Sequence, residues 1–132
     1  MMTANAPHIL IAEDNIAMAD VVRFNLQHAG FRVTVCRNGQ EAFDILSAEP
    51  FDVVITDYQM PGLNGEELCR KMRGDERLSG MPVIMVSAKG LELDVDALQD
   101  ELQLQSILYK PFSPRELTRL VQASLEPVEQ RP

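Results

Sequence analysis

Three short runs of this chain are apolar at nearly every position and then stop at a charged or hydroxyl side chain. Ile9-Leu10-Ile11-Ala12 halts at Glu13-Asp14, Val53-Val54-Ile55-Thr56 at Asp57, and Pro82-Val83-Ile84-Met85-Val86 at Ser87. A strand with one wet face alternates apolar and polar residues; a run that does not alternate must be covered on both faces. The runs are also far too short to cross a bilayer. Buried parallel strands with helices on either side are the arrangement that satisfies them.

The intervening segments supply those helices. Met18, Val22, Leu26 and Ala29 recur at helical spacing, and Gly30 closes that helix. Asn38 with Glu41 forms a capping-box pattern that opens a second helix, and Asn64 with Glu67 opens a third, which runs to about Arg73. Leu91, Val95, Leu98 and Leu102 mark a fourth. Ser113, Pro114 and Glu116 give the clearest start signal of all, with Leu117, Leu120, Val121 and Ser124 facing inward. Phe31 to Cys36 alternates and is rich in β-branched residues, as suits a strand near an edge, and Ser106 to Tyr109 makes a short fifth strand before Lys110. Five strands alternating with five helices predict an α/β protein with a doubly wound parallel sheet.

The chain has 132 residues, 45% of them hydrophobic and 24% charged. That is enough for one core and too little for two, so residues 8–126 are expected as one domain between a disordered tail (1–7) and a C-terminal tail or linker stub (127–132). The net charge of −8 opposes direct binding to nucleic acid or to an anionic membrane, since both depend on an excess of Lys and Arg. Cys36 and Cys69 have no metal-ligand or redox spacing, and Met1 to Pro7 lacks the basic start and apolar run of a signal peptide. Reduced buried thiols and a cytoplasmic location follow as expectations.

In a parallel sheet all strand C-termini share one edge, and ligands bind in the crevice outside it. Glu13, Asp14, Asp57, Ser87 and Lys110 should therefore converge. Taken singly, each has a plain structural explanation: a helix cap, a turn, a strand end, a solvated lysine. Together they are costly. Two like charges about 4 Å apart repel by roughly 4 kcal/mol at an effective dielectric near 20. A hard divalent cation relieves that repulsion, and magnesium suits a few carboxylates that leave room for water and phosphoryl oxygens.

Glu13-Asp14, Asp57 with Met60-Pro61-Gly62, Ser87-Ala88 and Lys110-Pro111-Phe112 resemble, in register, the motifs of response-regulator receiver domains. The likeness runs from about His8 to Leu125. It implies a flavodoxin-like sheet of strand order 2-1-3-4-5. It also implies that Asp57 accepts a phosphoryl group from a histidine on a sensor histidine kinase or a phosphotransfer protein. Glu13, Asp14, Asp57 and the backbone carbonyl of Gln59 would hold Mg2+, while Ser87 and Lys110 would contact the phosphoryl oxygens. A cis Lys110-Pro111 peptide is implied as well. Such a domain is a switch rather than an enzyme, monomeric or weakly dimeric. It would assist only its own phosphorylation and dephosphorylation, and its output would pass to a downstream protein target or an effector region missing from this chain.

Two departures stand out. The family often carries an aromatic residue three positions before the lysine, where this chain has Ile107, and Tyr109 lies next to the lysine instead. Leu102-Gln103-Leu104-Gln105 replaces the usual small turn before the fifth strand, so a differently shaped helix exit is expected. Gln59 and Lys89 match positions that tune dephosphorylation, and acidic residues Glu92, Asp94, Asp96, Asp100 and Glu101 make either a solvated face or a docking surface for a basic partner.

Competing readings fit less well. An aspartate-nucleophile phosphatase needs a second Asp where Gln59 stands. A flavodoxin-type cofactor module needs a Ser/Thr/Gly loop where Glu13-Asp14 would repel phosphate. A non-phosphorylated pseudo-receiver acting as an interaction module is the remaining alternative.

Overall fold

The computed structural model describes residues 6–88 and 95–126, with the side chains of Val95 and Asp96 left undescribed. Five strands and five helices alternate: β1 (His8–Ala12), α1 (Ile16–His28), β2 (Arg32–Cys36), α2 (Gly39–Ala48), β3 (Val53–Asp57), α3 (Gly65–Arg73), β4 (Val83–Ala88), α4 (Val95–Leu102), β5 (Ser106–Lys110) and α5 (Pro114–Ser124). All strand pairs are parallel, in the order β2-β1-β3-β4-β5.

Alternation along each buried strand feeds two separate cores. Leu10, Ala12, Val54, Val83 and Met85 join one cluster with Ala42, Leu46, Leu68, Cys69, Met72, Leu98 and Leu102, beneath α2, α3 and α4. Ile9, Ile11, Val53, Ile55, Ile84, Val86 and Leu108 join the other with Val22, Leu26, Leu117 and Val121, beneath α1 and α5. Both faces of β1, β3 and β4 are thus dry, which is why these strands do not alternate in sequence. β2, at the edge, is only half-buried along four of its five residues.

The helix ends follow local chemistry, with corrections to the sequence reading. Asn15 caps α1 by accepting from Met18 N at 3.0 Å, and Gly30 takes the left-handed conformation (φ 99°) just past its end. The inner stripe of α1 is Ala19, Val22 and Leu26; Ala29 is exposed, because it already lies in the last, turning-away position. At α2 the expected capping box is incomplete: Asn38 accepts from Glu41 N, but Glu41 reaches Arg37 N instead of Asn38 N. At α3 the box is complete. At α5 Ser113 accepts from Arg115 N, one residue short of the Glu116 N that a box would use. The edge strand starts one residue later than expected, at Arg32, with Phe31 buried beneath it.

Ala6 and Pro7, placed in the N-terminal tail by sequence, already run beside β2: their carbonyls accept from Arg32 Nε and N, each at 2.9 Å. The expected tails at 1–5 and 127–132 otherwise lie outside the described residues, as do Lys89, Leu91, Glu92 and Asp94.

Candidate functional site

The carboxyl edge of the sheet gathers the residues singled out by sequence. β1 ends one residue before Glu13, β3 ends on Asp57, Ser87 is next to last in β4, and Lys110 is last in β5. Register fixes their relative heights: Ala12 pairs with Thr56, Asp57 with Val86 and Ala88 with Lys110. Carboxylate oxygens of Glu13, Asp14 and Asp57 all lie within 4.8 Å of one another. Lys110 Nζ is 3.3 Å from Asp57 Oδ1 and 3.5 Å from Glu13 Oε1. Lys110-Pro111 is a cis peptide.

Burial sets the electrostatics. Glu13 and Asp57 are only 5% and 6% exposed, while Asp14 stands in solvent. Burial holds the Asp57 carboxyl above its ordinary value; the Lys110 ammonium opposes this and the Asp14 charge adds to it. Burial also raises Glu13, against a hydrogen bond from Asn15 N at 3.1 Å, with the charge of Asp57 raising it further and Lys110 lowering it. One lysine against three carboxylates leaves the crevice negative, and its hard oxygen donors suit magnesium. Such an ion takes one or two carboxylates directly and keeps several waters, which matches oxygens spread over this span.

Ser87 is 0% exposed, and its Oγ is the only buried side-chain polar atom without a hydrogen-bond partner among the described residues. An unpartnered buried hydroxyl costs about 1–3 kcal/mol, so it calls for an acceptor that arrives from outside. Gln59 is exposed on the connection from β3 to α3, two residues beyond Asp57.

Sequence reasoning missed two contributors. Gly65 N donates to Tyr58 O at 2.9 Å, and a Cβ on Gly65 would run into the Asp57 carbonyl oxygen, so only glycine lets α3 start this close to the acidic residue. Thr56 Oγ1 donates to the same Asp57 carbonyl at 3.0 Å. A glycine directly after the Asn64 cap was the one available hint, and it reads equally well as a loop residue.

The histidines set aside by sequence stay apart from the crevice. His8 begins β1 at the opposite edge, its Nε2 2.7 Å from Thr34 Oγ1 and its ring against Phe51. His28 lies against Phe24 on α1. Cys36 and Cys69 are free and buried, and burial pushes both thiols up to about 12. Of the acidic residues on α4, Asp100 is exposed and Glu101 is committed to Arg70 of α3 at 2.6 Å.

Fold and site together define a flavodoxin-like α/β protein whose sheet edge carries an acidic, lysine-bearing crevice. A sequence model of the response regulator receiver domain matches residues 9–122, and the chain belongs to that family. Similar solved structures include the signal receiver domain of a signal transduction histidine kinase from Syntrophus aciditrophicus, 31% identical over 95% of this chain and 94% of that one, with a TM-score of 0.85. The chemotaxis protein CheY4 of Vibrio cholerae is 27% identical over 91% of this chain and 99% of its own, with a TM-score of 0.83. The Francisella response regulator 1452 receiver domain is 28% identical, over 89% and 95%, with a TM-score of 0.81. No helix among the described residues is long and apolar enough to cross a membrane.

Proposed function

We propose that Asp57 accepts a phosphoryl group from a histidine on a sensor histidine kinase or a phosphotransfer protein, with Mg2+ held by Glu13, Asp14, Asp57 and the Gln59 carbonyl. The observation that carries this is the meeting of three carboxylates within 4.8 Å, an ammonium 3.3 Å from Asp57 and a buried hydroxyl with no partner. Phosphoryl transfer needs in-line positioning and neutralisation of the equatorial oxygens more than covalent help. A bound magnesium ion supplies part of that neutralisation.

This chain's own residues supply the rest. An Asp57 carboxylate oxygen forms the bond to phosphorus as the bond to the donor imidazole breaks, and the electron pair returns to the ring nitrogen. Lys110, freed from part of its pairing with Asp57, turns to a phosphoryl oxygen, and the Ser87 hydroxyl donates to another. Water later cleaves the acyl phosphate, so the domain assists its own resetting and acts on no separate substrate. The modified site then changes binding of a downstream protein.

A protein donor is favoured over a small molecule by the surroundings of the site. Val21 and Phe24 of α1 are exposed, and an apolar groove lined by Met18, Val21, Pro111, Phe112 and Pro114 lies beside it. A cytoplasmic place of action belongs to the same reading, since sensor kinases deliver phosphate there.

Acetyl phosphate with Mg2+ tests the proposal. The expected result, read by mass spectrometry, is a hydroxylamine-sensitive gain of one phosphate that disappears in Asp57→Asn and on chelation. No gain, with acetyl phosphate or with any histidine-phosphorylated donor, makes the chain an interaction module that uses the fold without the chemistry.

A further inference from the structure

We propose, building on the magnesium reading above, that Gly39 is a positioning residue of the metal site: the close approach it permits between α2 and the β3–α3 connection holds the Gln59 carbonyl at the spacing Mg2+ requires.

α2 brings no side chain to the crevice, yet its first residue is tied to a loop that borders it. Gly39 N donates to Leu63 O at 3.1 Å, and among the described residues this is the one backbone bond that joins residues 59–63 to another element. The side chains of Met60 and Leu63 reach the core beneath α2, α3 and α4, but Gln59, Pro61 and Gly62 are exposed. The approach is too close for a larger residue. A Cβ on Gly39 would run into the Leu63 carbonyl oxygen and stand 3.0 Å from the Leu63 Cβ. Gly39 lies in α2 and is not among the glycines with positive φ, so the need is for space rather than for an unusual conformation. Gly39, Ala42 and Leu46 form the buried face of α2, so a forced separation falls on the exposed loop rather than on the helix.

The other end of the same connection grips the acidic loop. Glu13 N donates at 3.0 Å to the carbonyl of Cys36, the last residue of β2, and only Arg37 and Asn38 separate Cys36 from Gly39. The β2–α2 connection is therefore bonded to the Glu13-Asp14 loop on one side and to the Gln59 loop on the other. It sets the spacing between oxygen donors that two different strands deliver. Binding sites need such groups held to within about 0.5 Å, and the support comes from neighbours that never touch the ion. The two hard cations differ in what they tolerate. Mg2+ demands near-octahedral oxygens at about 2.0–2.1 Å, whereas Ca2+ accepts six to eight at about 2.3–2.6 Å in flexible geometry. Displacing the Gln59 carbonyl therefore harms the smaller ion more.

Calorimetric titration of the full chain with Mg2+ and, separately, with Ca2+ tests this. Gly39→Ala is expected to bind Mg2+ roughly ten-fold more weakly and to lose less affinity for Ca2+, so that its preference for Mg2+ falls. Val121→Ala, which opens a cavity in the opposite core, also destabilises the fold but is expected to keep both affinities. Native Mg2+ affinity in folded Gly39→Ala overturns the proposal, and so does an equal loss for both ions, which is what general loosening produces. Should Gly39→Ala fail to fold, hydrogen exchange in the native chain decides. Coupling is reciprocal, so Mg2+ must strengthen the tie that positions its ligand. The Gly39 amide is expected to exchange more slowly with Mg2+ relative to that of Glu49, which donates to Ile45 O at the other end of α2. Exchange at Gly39 that follows Glu49 with and without the ion overturns the proposal. Absence of Mg2+ binding by the native chain is a different result: it removes the magnesium reading itself and this inference with it.

Discussion

Asp57 and Glu13 hold their charge at a cost, and the sign of that cost can be followed with pH. Their ordinary values are 3.8 and 4.5, and both are raised in the folded protein, chiefly by burial. Below those ordinary values the folded and unfolded chains are both protonated there, and no penalty exists. As pH rises through them the unfolded chain releases protons first, so stability falls until the raised folded values are passed, and the loss then stays constant. Asp57→Asn should therefore melt a few degrees above the native protein at about pH 7 in EDTA, and the gap should close toward about pH 4. Calorimetry across that range checks it. A variant that melts lower at neutral pH would mean that the attraction to Lys110 outweighs burial. At Gly65 the constraint is steric rather than electrostatic. Gly65→Ala should cost about 1–3 kcal/mol in urea unfolding, because the Asp57 carbonyl is backbone and cannot step aside as a flexible side chain would. On the proposed phosphoacceptor reading, its phosphorylation by acetyl phosphate should slow as well, since the shift falls on Asp57.

At the scale of elements, the exit of α4 shows how this chain does without the small turn expected before β5. Leu104 N donates to Gln99 O at 3.0 Å and Gln103 N to Asp100 O at 3.4 Å, while Gln103 sits at φ 56° and Leu104 is buried. This is a Schellman ending with glutamine where glycine is usual. Gln103→Gly should therefore stabilise the fold by up to about 1 kcal/mol, read as a rise in the urea midpoint. Arg73 at the end of α3 holds the same turn. Its guanidinium donates to Leu102 O at 2.7 Å and Gln103 O at 3.2 Å, and also to Leu78 O and Ser79 O in the connection to β4. Arg73→Met keeps the apolar stem and strips these donors, with an expected loss of about 2–3 kcal/mol by the same measurement, on the scale of charge-assisted bonds. Equal stability would mean that water replaces the guanidinium at all four carbonyls.

Across the whole molecule, the sheet is stabilised by two independent cores and strained at one edge. At the acidic edge burial works against the fold, raising both Asp57 and Glu13, so a ligand that neutralises it should stabilise the protein globally. For a single site that binds only the folded state, saturation at about 100 times Kd adds about 2.7 kcal/mol. Thermal unfolding should accordingly rise with Mg2+ in the native chain and fall back with EDTA. Asp57→Asn, which lacks one of the proposed ligands and much of the repulsion, should respond much less. An equal response in both proteins would place the ion elsewhere.

Much of this was legible in the sequence, for a physical reason. Whether a strand is buried on both faces is written in its own side chains, so the non-alternating runs at Ile9, Val53 and Val83 announced a parallel sheet. The residues at their ends announced which side chains share an edge. Caps were legible only in part: Asn64 with Glu67 closes its box, but Glu41 and Glu116 do not, because a rotamer choice separates the two outcomes. What the tertiary structure alone decided lies between segments distant in sequence. The closeness of Gly65 to the Asp57 carbonyl, the burial that raises Asp57 and Glu13, the lack of a partner for Ser87 and its pairing with Tyr109 rather than Ile107 all depend on how separate elements are brought together, and no local pattern of residues encodes that distance.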